Sequence, residues 1–145
     1  MENEKVFLDI NIVADIIDTT RSGHPASSKL LETLIIGSCD ICISEDMLST
    51  LYYISKDKEK TLLFFENIVY IDWNILGFGM EVIQKATKLS LEQTQDFEDI
   101  LQCLCAKEND CSIFITNDKK FHRCGIEIFS VETFLAYKKD LHNVS

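Results

Sequence analysis

The sequence predicts an α/β protein, a three-layer α/β/α sandwich around a central parallel sheet of four to five strands in a Rossmann-like arrangement. Two observations carry that expectation. Short apolar runs rich in β-branched residues alternate along the whole chain with segments of helical periodicity. The chain also has 5 Gly, 1 Pro and no repeat, low-complexity tract or linker, so its 145 residues read as one domain spanning 1–145. A domain of that size buries roughly 70% of its unfolded surface, enough for a core without metal or disulfide staples.

Taken in order, the first strand is Val6 to Ile10, followed by a helical turn from Ile12 to Ile17. Thr19 to Pro25 breaks the pattern, and Ala26 to Ser38 resumes as a helix with Leu30, Leu31, Leu34 and Ile35 on one face. The second strand is Ile41 to Ser44, and Ser44 is placed to cap the next helix. Helices over Leu48 to Ser55 and Glu59 to Asn67 lead to a third strand at Val69 to Asp72. A helix over Gly79 to Lys88 comes next. A longer one starts at Leu91 or Gln93 and runs to Lys107, with Phe97, Ile100, Leu101, Leu104 and Cys105 at core spacing. The fourth strand is Ser112 to Thr116, the fifth Glu127 to Phe129, and Val131 to Lys138 closes as a helix.

Composition narrows the function classes. Lys and Arg total 14 against 24 Asp and Glu, a formal charge of −10. That argues against broad, salt-driven affinity for nucleic acid, which needs clustered cations. It leaves room for a nuclease whose acids gather around divalent ions, with substrate affinity that is local or supplied by a partner. A merely soluble acidic surface explains the total equally well. The opening Met1-Glu-Asn-Glu-Lys5 is too charged to begin a signal peptide, and no apolar run nears the roughly 18 residues of a membrane span. The expected location is the cytoplasm, where the six cysteines would stay reduced. Cys39 and Cys42 have C-x-x-C spacing, but His24, His122 and His142 are too scattered to complete a zinc site. Cys39, Cys42, Cys103 and Cys105 therefore read as buried thiols serving as small hydrophobes.

Acids stand where such a sheet places its sites, at the carboxyl ends of strands. Asp9 comes near the end of the first strand, Asp118 follows the fourth, and Asp96 and Asp99 lie three apart at a helix start. Singly, each has an ordinary explanation: aspartate caps helices and opens turns. Jointly, two strand ends and a helix start converge, and carboxylates drawn together repel unless a cation neutralises them.

At these residues the sequence resembles the PIN-domain family. The matching blocks are Val6-Phe-Leu-Asp-Ile-Asn-Ile-Val-Ala-Asp15, Ile43-Ser-Glu-Asp-Met-Leu-Ser-Thr-Leu-Tyr-Tyr-Ile54, Asp96-Phe-Glu-Asp-Ile-Leu-Gln102 and Ile115-Thr-Asn-Asp-Lys-Lys-Phe121, spanning nearly the whole chain. The resemblance implies a bacterial PIN-like fold in which Asp9, Asp99 and Asp118 are the catalytic, metal-binding acids, with Asp96 and Asp46 as further candidates. It implies Mg²⁺ or Mn²⁺ as cofactor, and Asn11, Thr116 and Asn117 as supports for the carboxylates. Thr50 stands where the family usually has a glutamate; Asp46, one helical turn earlier, is the candidate replacement, and Glu45 a poorer one. Arg21, Arg123, Lys119 and Lys120 are candidates for contact with RNA phosphates.

The function so implied is metal-dependent hydrolysis of RNA, as a toxin of a toxin–antitoxin pair, with RNA as substrate, an antitoxin protein as candidate partner and homodimerisation open. The alternative is a non-catalytic binding module of the same fold with a degraded metal site, which Thr50 and the acidic charge favour. A response-regulator-like phosphate-binding domain would need an early acid pair and a lysine after the fifth strand, and the chain has neither.

Overall fold

The computed structural model describes residues 3–121 and 124–144. Its centre is a sheet of five parallel strands: β1 (Lys5–Leu8), β2 (Asp40–Ser44), β3 (Asn74–Leu76), β4 (Ile113–Ile115) and β5 (Glu127–Phe129). Their order is β3-β2-β1-β4-β5, with Val6 beside Ile41 on one side and Ile113 on the other. β1 is thus the middle strand. Its Val6, Phe7 and Leu8 are fully buried, because a parallel strand covered on both faces must be apolar on both.

The helices that flank the sheet are α1 (Ile10–Ile17), α2 (His24–Ile36), α3 (Glu45–Ile54), α4 (Lys58–Phe64), α5 (Tyr70–Asp72), α6 (Met80–Gln93), α7 (Phe97–Glu108) and α8 (Val131–Val144). α1 packs on α2 and α2 on α8, while α6 pairs with α7 and α7 lies on β2. Phe7 and Phe114 stack across β1 and β4 with centroids 5.0 Å apart, and Phe114 stacks in turn on Phe121 at 4.5 Å. A second core of Ala86, Ile100, Leu101 and Leu104 joins α6 to α7.

Several boundaries differ from the sequence reading. The apolar run at Val69 to Asp72 is not a strand. Phe65–Val69 form a π-helical turn that continues into α5, and the third strand comes later, at Asn74–Leu76. Burial explains the difference: Phe65, Val69 and Trp73 are buried at helical spacing, while the intervening Tyr70 and Ile71 are exposed. Ile10 belongs to α1 rather than β1, and α2 begins at His24 because Pro25 fits a helix's first turn. On α2 the buried stripe is Ser27, Leu30 and Leu34, and Ile35 is 63% exposed. Leu91 and Gln93 end α6; α7 begins at Phe97, itself exposed at the helix start.

The cysteines are only partly as expected. Cys42, Cys105 and Cys111 are buried free thiols and Cys39 is half-buried. Cys103, however, forms a disulfide with Cys124, tying α7 to the segment between β4 and β5. Spacing along the chain could not show this pairing, because only the packing of α7 brings the two residues together.

Closing a loop with a sequence separation of 21 restricts the unfolded chain, an effect worth about 3 kcal/mol. Cys124→Ser should therefore lower the melting temperature, and dithiothreitol should lower that of the wild type similarly while leaving the variant unchanged. Equal melting with and without reductant, alongside six titratable thiols in the unfolded wild type, would contradict the pairing.

Candidate metal-binding acidic site

The strand order reverses direction between β1 and β4: the chain moves outward from β1 through β2 to β3, then returns to β4 beside β1. At such a switch point the connections leave on opposite sides and open a crevice beyond the carboxyl ends. Asp9 and Thr116 are the first residues past β1 and β4, and the Asp9 amide donates to the Ile115 carbonyl at 3.0 Å.

Asp9 is the N-cap of α1, 8% exposed, in extended backbone. Its Oδ1 accepts the Ile10 amide at 2.8 Å and its Oδ2 the Thr116 hydroxyl at 2.9 Å. Burial still pushes its carboxyl above the ordinary range, although both hydrogen bonds work the other way, and the neighbouring Asp118 adds to the rise. Thr116, buried as well, also accepts the Asp118 amide at 3.1 Å. One hydroxyl thereby links the two acids. Asp118 turns its own Oδ1 onto the Lys120 amide at 2.9 Å.

Asp99 faces this pair from the first turn of α7. Asp96 caps that helix, its Oδ1 accepting the Asp99 amide at 3.0 Å. The Asp99 carboxyl is pushed up to about 6, first by burial and then by Asp96, Asp118, Asp9 and Glu98. Asp99, Asp118, Asp96 and Lys120 line one open cleft with Thr94, Gln95 and Phe121. Among the described residues no three acidic, histidine or cysteine side chains stand close enough to hold an ion as they are. Several of their oxygens are instead engaged by Ile10, Thr116 and Lys120. The donor set nonetheless suits a hard divalent cation: charged carboxylate oxygens, mutually repelling, around an open cleft.

The remaining candidates separate by position. Asp46, in the first turn of α3, is held by Ser44 and Gln102. Thr50 bonds back to the Asp46 carbonyl at 3.5 Å and brings no charge. Glu45 lies beside Gly77 at the end of β3. Asn11 is exposed on α1, and the two hydrogen bonds that hold Asp9 come from Ile10 and Thr116 instead. Asn117 accepts the Val131 amide at 3.0 Å and so anchors the start of α8 rather than a carboxylate. Arg21 is paired with Asp15 at 2.7 Å, beyond the far end of α1 from Asp9. Lys120 lines the acidic cleft and Lys119 the hollow beside it, while Arg123 lies outside the described residues.

Glu98 is the acid that sequence reasoning missed. It is exposed in the first turn of α7, and its carboxyl is raised first by partial desolvation and then by the charges of Asp46, Asp96 and Asp9. Its place in the Asp96-Phe-Glu-Asp99 block was the available signal.

A model of the PIN domain family matches residues 6–127. The chain is 36% identical over 138 residues to a protein of Aquifex aeolicus named Ribonuclease VapC1, an alignment covering 92% of this chain and 95% of the relative. Its fold is similar to that in a structure of VapBC2 from Rickettsia felis bound to a DNA fragment from their promoter, with TM-score 0.65, 24% identity, and 87% and 98% of the two chains covered. It is likewise similar to a chain of a toxin–antitoxin complex from Klebsiella pneumoniae, with TM-score 0.65, 15% identity, and 87% and 97% covered. A third similar structure is that of Mycobacterium tuberculosis VapC20, described as a sarcin-ricin loop cleaving toxin, with TM-score 0.65, 12% identity, and 80% and 92% covered.

The raised Asp99 carboxyl makes stability depend on pH in a definite direction. Between its ordinary 3.8 and about 6 the folded protein binds a proton that the unfolded chain has released. Asp99 therefore favours the folded state at low pH, and that contribution is lost as pH rises through about 6. In metal-free buffer Asp99→Asn should melt higher than wild type at about pH 7.5, keep roughly half of that advantage at about pH 5 and lose most of it near pH 4. An advantage independent of pH would mean that the charge of Asp99 is not what strains the cleft.

Proposed function

This chain belongs to the PIN-domain family, and we propose that it is a divalent-metal-dependent ribonuclease whose acids are Asp9, Asp99 and Asp118, assisted by Asp46. The observation that carries this reading is the convergence at the switch point: Asp9 and Asp118 joined through Thr116, with Asp99 facing them across the cleft. The similarity to Ribonuclease VapC1, which extends over nearly the whole of both chains, supports the same chemistry.

In the reaction a water oxygen bonds to phosphorus as the P–O bond to the next nucleotide breaks. Bound Mg²⁺ or Mn²⁺ supplies charge neutralisation at the phosphate and a more acidic water. The protein's part is placement. Thr116 fixes the Asp9 carboxylate through Oδ2 and, through the Asp118 amide, the turn that carries the third acid. Asp99 presents its carboxylate from a helix N-terminus, where the macrodipole offsets part of its charge. Lys119 and Lys120 at the rim offer the cations that a chain of net charge −10 otherwise lacks for an RNA backbone. A protein antitoxin is the proposed partner, by similarity to the complexes from Rickettsia felis and Klebsiella pneumoniae. Thr50 favours a second reading, a binding module that keeps the fold and has lost cleavage.

Two experiments separate these readings. Single-stranded RNA should be cut in about 1 mM Mn²⁺ or Mg²⁺ and left intact in chelator, with the same ions raising the melting temperature. Asp9→Asn should abolish cutting and shrink that thermal shift. No cutting and no shift with either ion would leave the binding module as the better reading.

Thr50→Glu then tests the missing acid. It adds a charged oxygen to a site that holds hard cations electrostatically, so Mg²⁺ should bind more tightly and the cutting rate should rise. Combining it with Asp99→Asn should erase the gain, since both groups act on the same ion. Unchanged affinity in Thr50→Glu would show that position 50 lies outside the ion's reach.

A further inference from the structure

Helix α7 buries Ile100, Leu101, Cys103, Leu104, Cys105 and Ala106, an apolar surface that one polar side chain interrupts. Gln102 is 5% exposed. An amide in that setting costs free energy unless both its oxygen and its nitrogen find partners. Gln102 finds them at a single place, the junction of β2 and α3. Its Oε1 accepts the Ser44 hydroxyl at 2.7 Å, and its Nε2 donates to the two Asp46 carboxylate oxygens at 3.3 and 3.4 Å. The Ser44 hydroxyl also lies 2.5 Å from Asp46 Oδ1. With one proton it serves Asp46 or Gln102 at any moment, whereas the amide N–H stays directed at Asp46 in both arrangements.

The position of this contact gives it meaning. Gln102 lies three residues beyond Asp99 on α7, and Asp46 lies one helical turn before Thr50 on the same face of α3. The bond therefore joins the helix that carries Asp99 to the helix that carries Asp46 and has Thr50 in place of a second acid. Packing alone would be met by leucine or methionine of similar volume, with no need for the fully buried Ser44 beside it.

Resting on the metal-nuclease reading above, we propose that Gln102 is a positioning residue that holds the Asp46 carboxylate toward the acidic cleft, in place of the acid absent at Thr50. Asp46 starts a turn earlier than Thr50 and has a short side chain. The amide fixes its rotamer, which a flexible surface aspartate would lack.

The test is a double-mutant cycle on the full chain, with Mn²⁺ alone as the probe. Mn²⁺ affinity is measured by calorimetry, and melting in metal-free buffer is followed in parallel. Gln102→Met should weaken Mn²⁺ binding about tenfold or more. Asp46→Asn should weaken it comparably, and the double variant should bind no worse than Asp46→Asn alone. Gln102→Leu repeats the measurement with a different apolar shape, so that a packing defect peculiar to methionine is recognised. A role confined to packing would lower the metal-free melting temperature and leave Mn²⁺ affinity unchanged, which overturns the proposal. Losses that add in the double variant overturn it as well, since Gln102 would then act independently of Asp46. If the wild type binds Mn²⁺ and cuts RNA while both Gln102 variants match it, only this inference fails. If the wild type binds no Mn²⁺, the nuclease reading fails and takes the inference with it.

Discussion

The structure depends on keeping a carboxylate at the end of its central strand. Asp9 is 8% exposed, beside the most deeply buried strand of the sheet, where an unpartnered acid would destabilise the fold by several kcal/mol. Two donors hold it, one from the helix it caps and one from the strand next door. The second donor fixes more than a rotamer. Because the Thr116 hydroxyl also accepts the Asp118 amide, the chain must turn immediately after β4, and it does so with another acid pointing into the same crevice. The geometry of the crevice and the satisfaction of a buried charge are one requirement.

The rest of the architecture supports that arrangement from a distance. β1 and β4 lie side by side through Val6 and Ile113, Phe7 and Phe114, and Leu8 and Ile115, so their ends come level without adjustment. The stacked rings of Phe7, Phe114 and Phe121 continue the core past the end of β4, beneath the turn that carries Asp118. α7 is placed by its apolar face and by the Cys103–Cys124 disulfide, which joins the Asp99 helix to the chain that follows Asp118. Crowding of acids is tolerated because rigid elements hold each one separately.

Much of this was legible in the sequence, for identifiable reasons. Four strands and the long helices were found because their apolar spacing is local information. The third strand was misplaced because a run of Val69, Tyr70 and Ile71 has strand composition, while its burial follows the Phe65, Val69 and Trp73 spacing of a helix. The places of Asp9, Asp99 and Asp118 at two strand ends and a helix start are local information in the same sense. What those residues touch is not: the double use of Thr116, the attachment of Asn117 to α8 and the pairing of Arg21 with Asp15 depend on tertiary placement. Gln102 escaped notice because a lone amide in a helical pattern carries no signal until its neighbours on β2 and α3 are known.

Asp9 and Thr50 illustrate two kinds of structural setting for the proposed site. The first is bound into the central layer, and its loss would leave a buried hydroxyl and a helix end without their partners. The second sits on a half-buried face of α3 and makes one bond at 3.5 Å, to its own helix. Sequence drift is therefore constrained very unequally at the two positions. A descendant of this chain could gain or lose charge on α3 at little expense to folding, and so adjust its reactivity gradually. It could not move the acid after β1 without rebuilding the protein's middle.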